Sequence, residues 1–153
     1  MKSKLIALLV LLSMTSPALA QTEQQRILSG FRIVLECQAS YKIAAYYVDI
    51  YQSFRKGLEK TDSDLGDQLK SQLKQDWDRA ESVGVIIKQT LDARGIDPAE
   101  FEEKAYNLYQ LEILSEITKK APAHRHVQGL FKRNRECSDA IDRVSETFGI
   151  NPD

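Results

Sequence analysis

Between Ile27 and Phe148 apolar residues return every three or four positions, and no stretch alternates convincingly with a period of two. That spacing gathers them on one face of an α-helix and leaves no half-buried strand from which to build a sheet. The breaker residues fall between these patterns. After Pro17 the only prolines are Pro98, Pro122 and Pro152. The chain therefore reads as four helices joined by short turns, an all-α up-down-up-down bundle.

The first helix is expected from about Thr22 to Lys60, with Ile27, Phe31, Val34, Cys37 and Tyr41 on its inner stripe. Ile43, Tyr47 and Phe54 form a second stripe that widens the first, and Gly30 can mark a break near the start. The second helix spans about Asp62 to Arg94, with Thr61 and Asp64 as a capping box and Gly95 as its stop. The third is announced by "GIDPAEF". Asp97 suits the N-cap and Pro98 the first helical position, where no N–H is needed. Glu100 completes a capping box, and Ile96 can staple onto Phe101. Its apolar stripe continues through Ala105, Leu108, Leu111 and Ile113, and Pro122 ends it. The fourth runs from about Ala123 to Phe148, on a stripe that Asn134 interrupts and Gly149 closes.

The chain opens "MKSKLIALLVLLSMTSPALAQTEQ". Two lysines, an apolar run over Leu5–Leu12, Pro17 and the small residues Ala18-Leu19-Ala20 make the pattern of a secretory signal peptide cut after Ala20. The run is too short to span a bilayer, which takes about 20 apolar residues. Residue 21 is Gln rather than Cys, so lipid-modified cleavage is not expected. Residues 21–153 are expected to form one domain, located in the periplasm or secreted. Losing Lys2 and Lys4 takes the formal charge from −1 to −3. That balance offers no footprint for nucleic acid or an anionic membrane.

Two cysteines, Cys37 and Cys137, remain to be placed. Export into an oxidising compartment favours a disulfide between them. If the first and fourth helices are antiparallel neighbours, the two cysteines differ in height by only about 6 Å at 1.5 Å per residue. Neither C-x-x-C nor a set of Cys and His ligands is present, so redox catalysis and a structural zinc site are not expected.

Other candidate sites are sparse. "HRH" (His124 to His126) holds both histidines, and is read as an exposed loop at the start of a helix rather than a metal site. Both methionines lie in the leader and C-x-x-C-H is absent, so no haem or other cofactor is expected. Four of the six tyrosines fall between Tyr41 and Tyr51. Tyr46 points away from the inner stripe, and with Tyr106 it is a candidate contact residue, because tyrosine carries a large apolar body with a polar tip. From Lys119 to Arg135 the chain carries six Lys/Arg and no acid, a candidate basic face of Arg125, Lys132, Arg133 and Arg135 for an acidic partner. No nucleophile elbow, phosphate loop or H-E-x-x-H occurs, and an enzyme is not expected.

These features describe an exported helical module that binds another protein, as an inhibitor or immunity-type protein blocking a toxic enzyme. In outline, through export, helicity and cysteines near the start and end ("LECQASY", "RECSDAID"), it resembles the small disulfide-bonded immunity proteins that neutralise amidase effectors of type VI secretion. The resemblance carries over no residue roles. Two other readings stay open. One is a carrier or sensor of a small apolar ligand lined by Trp77, Tyr41 and Tyr51. The other is a structural subunit of an envelope assembly, and a homodimer is possible in any of them.

Overall fold

The computed structural model describes residues 17–55, 60–120 and 123–151, with side chains over 22–50, 66–99, 101–115 and 129–151. It contains four helices in that range: α1 (Pro17–Arg55), α2 (Lys60–Asp92), α3 (Pro98–Lys120) and α4 (Ala123–Phe148). No strand occurs among the described residues. Most of the leader expected over residues 1–20 lies outside the described part. Residues 17–20 form the first turn of α1, which starts five residues before the expected Thr22.

The turn chemistry explains the boundaries. The Asp97 side chain accepts a bond from the Ala99 N–H at 2.9 Å, so Asp97 caps α3 with Pro98 at its first position. Gly95 and Gly149 take φ of +71° and +62°. The Ile96 N–H bonds back to the Leu91 carbonyl, and the Ile150 N–H to that of Ser145. Both ends are thus Schellman caps, closed by the residue type that enters the left-handed region without penalty. The capping box expected at Thr61 and Asp64, and the Glu100 arm of the other, involve side chains outside the described set.

The helices do not share the core evenly. α1 packs against each of the other three, most extensively against α2 and then α4, whereas α2, α3 and α4 touch one another at few points. Burial follows suit. Along α1, Val34, Leu35, Cys37, Ala39, Ser40, Tyr41, Ile43 and Ala44 are all buried, positions that point in every direction around the axis. Arg32, Lys42, Tyr46 and Asp49 keep one narrow strip of α1 exposed between Phe31 and Ile50, and the rest of that stretch is covered by the others. The partners each bury one stripe: Leu73, Ala80 and Ile87 at seven-residue steps on α2, and Leu130, Cys137, Ile141 and Val144 on α4.

Cross-helix pairs give the directions. Asp49 of α1 pairs with Lys70 near the start of α2, and Glu23 with Arg94 just beyond its end, so α1 and α2 are antiparallel. Cys37 meets Cys137 while Gly30 meets Phe148, so α1 and α4 are antiparallel too. Gly30 does not break α1. It lies where Phe148 presses on the helix, and a Cβ built there would stand 2.7 Å from a ring carbon. At Gly84 a Cβ would come within 3.1 Å of Val34, so α1 and α2 also pack closely.

Leu108 and Leu111 depart from expectation. Periodicity places both on the inner stripe of α3, yet they are 61% and 68% exposed. Ala105, Tyr109 and Ile113, spaced by four, take the inward face instead. Leu111 sits about 160° around the helix from Tyr109, at 100° per residue. With α1 as its main partner, α3 has only one covered side.

Burial holds the Tyr41 hydroxyl well above the ordinary tyrosine range; Asp76 adds to the shift and Arg79 opposes it. Burial also raises Tyr109, against the opposing charge of Arg32. A group raised in the folded state keeps its contribution to stability below the unfolded value, about 10, and loses it above that as the unfolded chain ionises first. In a titration followed at 295 nm, Tyr41 and Tyr109 should therefore ionise above the ordinary tyrosine range. Tyr41→Phe should flatten the fall in stability above pH ~10.

Candidate functional site

Three features stand out on this scaffold: a set of links between α1 and α4, exposed apolar side chains, and two grooves that share Leu73.

The links lie within about one turn of each other. Cys37 and Cys137 are at disulfide distance, with Cα atoms 5.3 Å apart. One residue before Cys37, Glu36 pairs with Arg133. Three residues after it, the Ser40 hydroxyl donates to Asn134 Oδ1 at 2.8 Å. Ser40 is fully buried and Asn134 is 5% exposed. Asn134 Nδ2 is buried without a hydrogen-bond partner among the described residues. Asn134 interrupts the α4 stripe in the sequence, but its match to Ser40, 94 positions away, depends on how the two helices register. Ser40→Ala should cost about 1–3 kcal/mol, because it strands both ends of a buried amide. The double change Ser40→Ala with Asn134→Leu should be near neutral or stabilising, since no polar atom is then left unpaired. Urea unfolding of the two variants separates these outcomes.

The basic residues do not form one open face. Arg133 turns in toward Glu36. Lys132 lies 3.7 Å from Glu136 one turn along α4. Arg135 is exposed and lines a groove that also contains Asp76. Arg125 sits in the first turn of α4, as do His124 and His126, and their side chains lie outside the described set. Among the described residues no group of three or more His, Cys, Asp or Glu could hold a metal ion.

Of the two candidate contact tyrosines, Tyr46 is 62% exposed, edge-on to Tyr47 with ring centroids 5.9 Å apart. Tyr106 is half-buried instead. Its ring lies under the Lys42 ammonium at 5.4 Å, and its hydroxyl is buried without a partner among the described residues. It braces α3 against α1 rather than facing outward. Leu108 and Leu111, three residues apart and so neighbours on the α3 surface, are the exposed apolar pair that periodicity assigned to the core. Val85 and Ile86 are also partly exposed on α2.

The two grooves lie on either side of Leu73. One, of about 260 Å³, is lined by residues of α2 and α4, including Leu69, Asp76, Phe131, Asn134 and Arg135. The other, of about 300 Å³, lies between α1 and α2 and is lined by Tyr41, Lys42, Ala45, Lys70, Leu73, Lys74 and Trp77. Tyr41 and Trp77 thus line the same groove. Tyr51 lies further along α1, with its side chain outside the described set.

No protein-family model, curated protein or solved structure matches the chain. No described helix is long and apolar enough to cross a membrane.

Proposed function

We propose that the protein is an exported protein-binding module of the inhibitor or immunity type, freed from residues 1–20 on its way to the periplasm or the exterior. The observation that carries this reading is the exposure of Leu108 and Leu111 on a helix whose opposite face is anchored in the core. Neighbouring large apolar side chains left in water favour a protein contact. Tyr46 adds an exposed aromatic on α1, the residue class enriched where binding energy concentrates. The close pairing of Cys37 and Cys137 supports export and stiffens the scaffold, so docking would cost little ordering entropy.

The test is capture from the native host with a C-terminal tag and without reductant. An enzyme recovered in near-equal amount, and inhibited by the purified protein, is the expected result. Leu108→Ser with Leu111→Ser should weaken that complex at least tenfold while leaving the unfolding midpoint nearly unchanged, because both side chains already face solvent. An undiminished complex in this variant, and in Tyr46→Ala, would place the contact elsewhere.

A further inference from the structure

We propose that the groove between α2 and α4 is a binding site for a small zwitterion, an α-amino acid with an apolar side chain. The inference is independent of the protein-binding reading above.

The groove carries one charge of each sign, on opposite walls: Asp76 comes from α2 and Arg135 from α4. The two do not reach ion-pair distance of each other, and among the described residues neither has another ion-pair partner. The charges around them are already committed. Arg79, three residues after Asp76, pairs with Asp142. Glu136, next to Arg135, lies 3.7 Å from Lys132. Asp76 is half-buried, and its Oδ1 accepts from Gln72 Nε2 at 3.1 Å, a neutral amide that holds the carboxylate without cancelling its charge. Asn134 lies on the same wall as Arg135. It is 5% exposed, its Oδ1 is taken by Ser40, and its Nδ2 is buried without a partner among the described residues. Leu69, buried Leu73 and Phe131 supply the apolar part of the lining.

This arrangement selects a pattern of charge rather than a net charge. A simple carboxylate would gain from Arg135 and be repelled by Asp76, and a simple amine would meet the reverse. A molecule that carries an ammonium and a carboxylate answers both walls, with a charge-assisted hydrogen bond at each and no repelled ion left behind. Its carboxylate also brings acceptor oxygens to the wall where Asn134 has an unmatched donor, the kind of group that is costly to leave unpaired. An apolar side chain on the same molecule covers Leu69 and Phe131, which otherwise stay half in water.

The experiment titrates the full-length protein, dialysed to clear any molecule carried from the host, with leucine, methionine and phenylalanine in a calorimeter. At least one should bind, one molecule per chain, with a Kd below about 1 mM, and should shift the side-chain amide signals of Asn134 in a proton–nitrogen NMR spectrum. Glycine has no side chain for the apolar lining. The N-acetyl form of the tightest ligand lacks the ammonium, and its amide form lacks the carboxylate. Each of these three should bind at least tenfold more weakly. Asp76→Asn should erase the advantage of the amino acid over its N-acetyl form, and Arg135→Gln its advantage over its amide. Asp76 is half-buried and Arg135 exposed, so neither change should disturb the fold. If a variant does fail to fold, the comparison of ligands on the unaltered protein still decides. No binding of any of the three amino acids up to about 10 mM would overturn the proposal and leave Asp76 and Arg135 as ordinary surface charges. N-acetyl and amide forms that bind as well as the amino acid would overturn it too.

Discussion

Reducing the link between Cys37 and Cys137 should lower the stability of the fold by about 4–5 kcal/mol. The two residues are 100 positions apart, and closing a loop of that length removes about this much free energy from the unfolded chain in the entropy model. Both are buried against the core, so Cys37→Ala with Cys137→Ala should cost at least as much as reduction. For a chain of this size the loss corresponds to a fall in Tm of roughly 15 °C. Urea unfolding with and without reductant measures it. A loss under ~1 kcal/mol would mean that the unfolded chain is already held compact by other contacts. Alkylation of both thiols in the native, unreduced protein would refute the bridge itself.

Phe31→Ala should cost about 3–5 kcal/mol, the range for emptying a buried aromatic site. Phe31 is 2% exposed, and its ring stacks on Phe101 with centroids 5.9 Å apart. The change also has a direction. α3 makes few contacts with α2 and α4, and Phe101 stands in its first turn as one of its main holds on α1. Tyr109, packed under Arg32 at 5.3 Å, is another. Hydrogen exchange should therefore show the amides of α3 losing protection before those of α2 and α4. Uniform loss across all four helices would indicate that α3 is not separately held.

The number of helices, the start of α3 and the stops of α2 and α4 were legible because local chemistry sets them, whereas α1 starts five residues before the expected Thr22. Asp97 and Pro98 start α3 by what their own side chains and rings do, and Gly95 and Gly149 stop their helices by accepting a positive φ. The cysteine pairing was legible from the leader-like pattern of residues 1–20 and from helix register. Which face of α3 turns inward was not. Leu108 and Leu111 are as apolar as Ile113, and only the presence of α1 as the main partner decides which of them is covered. The central place of α1 was half visible in its two apolar stripes. Its third side is closed by Ala39 and Ser40, small residues that carry little hydrophobic signal and matter because they let neighbouring helices approach. Ser40 with Asn134 and Glu36 with Arg133 are pairs between distant segments, which no local pattern announces. Trp77 and Tyr41 were both candidates, but the three lysines around them come from two helices and converge only in the fold.

The position of α1 also sets the order in which the molecule can be finished. The helix that every other helix leans on is the first of the four to be made. At ~5–20 residues per second, Cys37 appears roughly 5–20 s before Cys137, and the α4 stripe that covers this part of α1 arrives in the same late interval. During that time α2 and α3 become available to pack on α1, while the face that bears Cys37 still lacks α4. The bundle is closed only when α4, 26 residues long, has arrived.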